Sequence, residues 1–257
     1  MIDLHAHVLP GIDDGPETIE DSLALARAAA AAGTRVLVAT PHVSRRYPND
    51  AETIGSLVDE LNALLRTEEI ELEVLAGAEI AMTWLIDIAP EELPRLRLGA
   101  GPWLLVEPPF TPVIAGLDTM LLDLQRQGHQ ILLAHPERCQ AFHRDPAMLR
   151  SLVRAGVLTS ITAGSLIGSF GGEVRGFALS LAREGLIHNV ASDTHDTVKR
   201  PPGSTAELRQ AGLEPLAEWL TEQVPAAILS GEEIPPQPIV ELPGIEAPAR
   251  RTWWRRR

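Results

Sequence analysis

The feature that most constrains this chain is a repeated alternation. A short apolar run is followed by a turn, then usually by a helical stretch. The apolar runs are Ile2–Leu4, Arg35–Ala39, Leu72–Ala76, Trp103–Val106, Ile131–Ala134, Leu158–Thr162 and His188–Ala191. Helical patterns separate most of them, at Glu17–Ala32, Glu52–Arg66, Leu117–Gln127, Pro146–Ala155 and Glu173–Glu184. Two more follow the last run, at Glu207–Gly212 and Glu214–Val224. A helix is the compact way to carry a chain from one parallel strand to the next. The alternation therefore predicts an α/β fold with a mostly parallel sheet, doubly wound or closed as a barrel. No strong linker interrupts it, so a single domain is expected over residues 1–233. From Ile234 the prolines at 235, 236 and 238 cannot continue a helix. Residues 234–257 read as a flexible Pro-rich tail that ends Arg250-Arg-Thr-Trp-Trp-Arg-Arg-Arg257.

The turns after the apolar runs carry the chemistry. His5 and His7 follow the first run, Thr40-Pro41-His42 the second and Gly77-Ala78-Glu79 the third. Glu107, His135 and the pair Asp193 and His195 follow later ones. In a parallel barrel all strand C-termini open on one face, so these side chains would converge there. The set is imidazole and carboxylate without thiolate, which suits Zn, Mn or Fe. Asp13 and Asp14 lie in Pro10-Gly-Ile-Asp-Asp-Gly-Pro16, where an acid serves a turn, a helix cap or a metal. Arg138 and Arg200 stand near His135 and the Asp193/His195 pair, and a guanidinium can grip two phosphate oxygens. Lys199 is a competing contact beside Arg200, and Asp196 is placed to orient His195.

Composition removes several classes. With 22 Lys+Arg against 35 Asp+Glu the formal charge is −13, the wrong sign for a general nucleic-acid binder. Aromatics make up 4% of the chain, too few for a base-stacking platform. The one cysteine, Cys139, excludes a disulfide framework. It also lacks the five-residue spacing to arginine of a cysteine phosphatase loop, since Arg144 follows after four. The Gly164–Gly172 segment lacks the Gly-Lys-Ser/Thr end of a P-loop and reads as a mobile rim of the pocket. No basic leader and no apolar run of membrane-spanning length is present, so a cytoplasmic protein is expected.

The segments IDLHAHVLPGIDDGP, VLVATPHV, VLAGAEI, LLVEPPF, ILLAHPER, LTSITAGSLIGSFGG and NVASDTH resemble the PHP (polymerase and histidinol phosphatase) superfamily. More narrowly, they resemble its bacterial capsule and exopolysaccharide tyrosine-protein phosphatases. The resemblance implies a distorted seven-stranded PHP-type β/α barrel holding three divalent metal ions. The first ion would take His5, His7, Glu79 and Asp193; the second Glu79, Glu107 and His135; the third Asp14, His42 and His195. Manganese is the family's usual metal, with Fe or Zn compatible with the donors. Asp13 is the less suited of the Asp pair, and Arg138 and Arg200 become phosphate contacts. The implied substrate is a phosphotyrosyl protein, a membrane-associated bacterial tyrosine kinase that controls polysaccharide export. Direct attack by an activated water, with no covalent phosphoenzyme, is the expected reaction. A small-molecule phosphomonoesterase of the histidinol-phosphate type and a non-catalytic PHP regulatory module are the alternatives. The Trp253-Trp254 tail, basic on an acidic body, has the composition of a peripheral contact at the inner membrane face, and equally of a solvated end.

Overall fold

The computed structural model describes residues 1–113 and 116–242. In chain order it contains β1 (Ile2–Ala6), α1 (Ile19–Ala31), β2 (Val36–Ala39), β3 (His42–Val43), α2 (Ala51–Thr67), β4 (Glu73–Ala76), β5 (Glu79–Ala81) and β6 (Trp103–Glu107). There follow α3 (Leu117–Arg126), β7 (Gln130–Ala134), α4 (Gln140–Arg144), α5 (Pro146–Arg154), β8 (Leu158–Thr162), α6 (Ala163–Ile167), α7 (Gly172–Arg183), β9 (Asn189–Ala191), α8 (Thr205–Gln210) and α9 (Val224–Ser230). Local chemistry starts the helices where it is needed. Thr18 accepts from the Asp21 amide ahead of α1, Asp50 from Thr53 ahead of α2, and Asp145 from Ala147 ahead of α5. Each capping side chain satisfies an amide that has no partner inside its helix.

All strand pairs are parallel, in a three-stranded sheet β1-β2-β4 and a six-stranded sheet β3-β5-β6-β7-β8-β9. The two sheets share chain. Only Thr40-Pro41 separates β2 from β3, and only Gly77-Ala78 separates β4 from β5. Pro41 has no amide to give the ladder. A Cβ on Gly77 would lie 2.8 Å from Val38 Cγ1 and 3.0 Å from Leu98 Cδ2, so glycine permits the close approach at the second bend. Across the outer edges, Asp193 N–H donates to His5 O and His7 N–H to Thr194 O, both at 2.9 Å. The central strands are buried on both faces, with Leu104, Leu105, Leu132, Leu133 and Ile161 fully covered, as crossover helices demand.

The predicted strands all form, but one predicted helix departs from expectation. Glu214–Val224, read as one helix, is a 3₁₀ turn (Glu214–Leu216) and a π turn (Trp219–Gln223), with regular helix only from Val224. Pro225 cannot bond back to Thr221, and its ring crowds that carbonyl, so the regular ladder opens there. The Gly164–Gly172 segment, expected at the rim of the pocket, is partly helical. It opens inside α6, and Gly168, at φ 96°, ends that helix. Residues 234–242 carry no regular structure, yet Trp219 Nε1 donates to Pro235 O at 3.0 Å, and Ile234, Val240 and Leu242 pack on the core. The Trp253-Trp254 stretch of the tail lies outside the described residues. No helix among the described residues is long and apolar enough to cross a membrane.

One half-buried histidine belongs to the fold alone. His188 Nδ1 accepts from the Thr159 amide at 3.2 Å, and burial pushes its pKa down to about 4. Below an unfolded pKa near ~6.5 the unfolded chain binds a proton that the folded chain refuses, so stability falls as pH drops. Chemical denaturation of wild type and His188→Gln should show the wild-type advantage shrinking by up to about 3 kcal/mol between pH 6.5 and pH 4. A constant difference across that window would contradict the assignment.

Candidate metal centre

Parallel pairing sets His42 beside Glu79, and Ala81 beside Glu107. His5 stands on β1, with His7 just past its end on the same side, since strand side chains alternate. His135 follows β7, and Asp193 and His195 follow β9. Two of these residues have left-handed backbone, His135 at φ 29° and Asp193 at φ 53°. Outside glycine that conformation is costly and clusters at functional sites. Here it turns both side chains in as their strands end.

Glu79 is the hub. Its Oε2 lies 3.3 Å from His5 Nε2, 3.3 Å from His7 Nε2 and 3.0 Å from His42 Nδ1. Its Oε1 lies 2.8 Å from His135 Nε2, which is 3.8 Å from Glu107 Oε1. Asp193 Oδ1 is 3.5 Å from His5, 3.6 Å from His7 and 3.8 Å from His195. Asp14 Oδ1 is 3.4 Å from both His42 and His195. The donors fall into four overlapping groups, each within 4.8 Å: His7/Asp14/His42/His195, His5/His7/Asp193, His5/Glu79/His135 and His42/Glu79/Glu107. Together these hold all nine residues named as ligands from the sequence.

The electrostatics fit divalent cations. Burial raises the Glu79 pKa, but the charge of His5, the hydrogen bond with His135 and the close imidazoles of His42 and His5 overcome it and hold the carboxyl well below its usual range. Asp193 is likewise lowered, its burial outweighed by His5, His135 and Arg200. The neighbouring His195 imidazole lowers Asp14. Burial, then the charge of Glu79, pushes Glu107 up to about 7. Burial disfavours a charged His7, yet Asp13 and Glu79 bring it up to about 10. Glu79 Oε2 and His195 Nε2 are buried without any hydrogen-bond partner. Lone pairs gathered this way match a cation better than they match one another.

Arg138 and Arg200 sit together at one side of the centre. Their guanidiniums reach Asp193 Oδ2 at 3.0 Å and 2.5 Å, and Thr162 Oγ1 donates to the same oxygen at 3.2 Å. The Phe170 ring lies against both, 4.4 Å from Arg138 Cζ and 6.0 Å from Arg200 Cζ. Lys199 is exposed. Asp196 does not orient His195: its Oδ1 accepts the amides of Val198 and Lys199 at 2.7 Å and 2.5 Å, closing its own turn. His195 Nδ1 instead meets Asp193 O at 3.1 Å. Cys139 is buried, its thiol pushed up by burial and directed at Pro109 O. His129 and His143 lie outside all four donor groups.

Three supporting residues were not legible in advance. Asp13 Oδ2 meets His7 Nδ1 at 2.7 Å, which fixes the ring so that Nε2 faces Glu79. Asp3 is buried and accepts from Ser192 N at 3.1 Å and His5 N at 3.3 Å, tying β1 to the end of β9. Its place two residues before His5 was the available clue. Glu137 is buried under the Thr162 amide and the Ser165 hydroxyl, at 3.0 Å and 2.7 Å, and burial raises it to about 7. Because Asp13 acts through His7, Asp13→Asn should leave the fold intact and weaken metal affinity about 10–100-fold in a competition titration. Unchanged affinity would show that His7 needs no orienting partner.

The Capsular polysaccharide synthesis, CpsB/CapC family model matches residues 1–212. Tyrosine-protein phosphatase YwqE of Bacillus subtilis (strain 168) is 37% identical over 249 residues, covering 93% of this chain and 96% of YwqE. A Staphylococcus aureus protein described as putative tyrosine-protein phosphatase CapC is 32% identical over 202 residues, covering 78% of this chain and 79% of that one. The backbone also superposes on a chain from the crystal structures of YwqE from Bacillus subtilis and CpsB from Streptococcus pneumoniae, described as unique metal-dependent tyrosine phosphatases. That match has a TM-score of 0.80 and 35% identity, over 94% of this chain and 100% of that one. A lactonase from Listeria monocytogenes, at 15% identity and TM-score 0.56, shares the fold alone. With the match running from β1 past the last ligand-bearing turn, the chain belongs to the CpsB/CapC capsular polysaccharide synthesis family.

Proposed function

We propose that this chain is a metal-dependent phosphatase that removes phosphate from tyrosine in protein substrates of a capsule or exopolysaccharide system. The observation that carries the reading is the Glu79 hub, where imidazoles and carboxylates from many strand ends meet beside two arginines. The tyrosine-protein phosphatase YwqE, which aligns over nearly its whole length, supports the substrate class. Three ions would be held, as the family resemblance implies, the first by His5, His7, Glu79 and Asp193, the second by Glu79, Glu107 and His135, the third by Asp14, His42 and His195. A donor set of nitrogen and oxygen without sulfur accepts Mn, Fe or Zn alike, and manganese is the choice that the family resemblance implies. β2 with β3, and β4 with β5, count as single bent strands, which gives a distorted seven-stranded barrel closed between β1 and β9. Residues 1–233 are the phosphoesterase domain.

Bound divalent cations supply an acidified water and neutralise phosphoryl oxygens. The chain's own residues orient the ester. Arg138 and Arg200 turn paired N–H groups on the phosphoryl oxygens, and Asp193 holds the two guanidiniums together for that task. Phe170 fixes their planes. A tyrosyl leaving group, with a pKa near ~10, needs little protonation as it departs, so the site can work without a strong general acid. The partner is a membrane-associated tyrosine kinase, reached from the cytoplasmic side. The basic end of the chain favours an anionic lipid surface.

The test is elemental analysis of the purified protein coupled to hydrolysis of a phosphotyrosyl peptide. Chelation should abolish turnover and Mn²⁺ should restore it. His5→Ala and Asp193→Ala should each lower kcat by about 100-fold or more, and Cys139→Ser should keep it. The peptide should be a better substrate than histidinol phosphate by kcat/KM. Full activity in His5→Ala and Asp193→Ala, or its loss in Cys139→Ser, would overturn the reading.

A further inference from the structure

The chain is poor in aromatics, with five Trp, one Tyr and four Phe, yet several stand at the metal centre. Tyr47 stacks on His42 with ring centroids 5.7 Å apart, and Phe170 braces the arginines. Phe110 differs from both. It is 42% exposed, and among the described residues it is the aromatic in a short set of exposed large hydrophobic side chains. A buried ring stabilises a core, whereas a ring held open to water at the edge of a charged site does not.

Its setting is stiff. Phe110 follows Pro108-Pro109 at the end of the β6 turn that also presents Glu107, and proline fixes the backbone of that stem. The ring stacks on His135, with centroids 5.5 Å apart and planes 18° apart, and Arg138 Cζ lies 5.0 Å from its centroid. The apolar ring is thus set beside one expected ligand and one expected phosphate contact. In an aryl phosphate a single bridging oxygen separates phosphorus from the ring. A phosphoryl group held by Arg138 therefore brings its aryl group to the surface where Phe110 stands.

We propose that Phe110 is the platform on which the phenyl ring of the substrate stacks, and that it sets the preference for aryl over alkyl phosphomonoesters. The inference rests on the phosphatase reading of the centre and adds a residue for its substrate class. Offset or edge-on contact of two rings contributes beyond the area it buries, and a short alkyl group has no such contact to make.

The test is direct binding to the metal-loaded full-length protein. Phenylphosphonate and methylphosphonate serve as non-hydrolysable probes, and wild type, Phe110→Ala and Phe110→Tyr are compared by titration calorimetry. Wild type should bind the phenyl probe more tightly. Phe110→Ala should weaken the phenyl probe about three- to tenfold, the size of one aromatic stacking contact. The loss should be confined to that probe, and Phe110→Tyr should restore its binding. Parallel losses for both probes would show that Phe110 only braces Arg138 or His135, and an undiminished preference in Phe110→Ala would place the ring elsewhere. Either result overturns the proposal while leaving the phosphatase reading standing. Failure of wild type to bind either probe would overturn both.

Discussion

Glu79 is a carboxylate with almost no contact with water, and four imidazoles crowd its two oxygens. A charge in that position is tolerable only when it is surrounded by compensating groups. The rest of the centre follows from that need. His5 and His7 arrive from β1, His42 from the turn after β2, His135 from β7, and Asp193 and His195 from β9. No one strand can supply the set.

The sheet makes the meeting possible by bending. The breaks at Thr40-Pro41 and Gly77-Ala78 carry the chain from one sheet to the other, and the residue after each break, His42 or Glu79, enters the centre at the start of the new strand segment. At the other strands the turn-in is made by left-handed backbone at His135 and Asp193. The backbone strain of these two positions sits where the side chains must converge, supported by Asp3, Thr162 and the arginines packed around them. Phe110 comes from the same kind of position, three residues past the last residue of β6.

The residues that meet at the centre were legible because their types and their places after apolar runs repeat along the chain, and a parallel fold turns such places into one face. What was not legible depends on geometry that no short window records. Asp13 and Asp14 are adjacent in sequence, and only the path of the loop decides that Asp13 faces His7 Nδ1 while Asp14 faces His42 and His195. β3 and β5 are too short to leave a periodic trace. The helix expected over Glu214–Val224 failed on Pro225, whose effect reaches back into the preceding turn. Glu137 and Cys139 look alike as buried neighbours of Arg138. Only tertiary contacts show that the acid props Thr162 and Ser165 while the thiol faces a carbonyl.

The claim beneath all of this is the proposal that Glu79 would hold cations together with the imidazoles and carboxylates around it. Anomalous diffraction at the manganese edge, from crystals of the protein grown with Mn²⁺, measures that directly. The account expects separate peaks within coordination distance of Oε1 and of Oε2, with His5, His7 and Asp193 around one and His135 and Glu107 around the other. A centre with a single peak remote from Glu79, or with no peak at all, would contradict it.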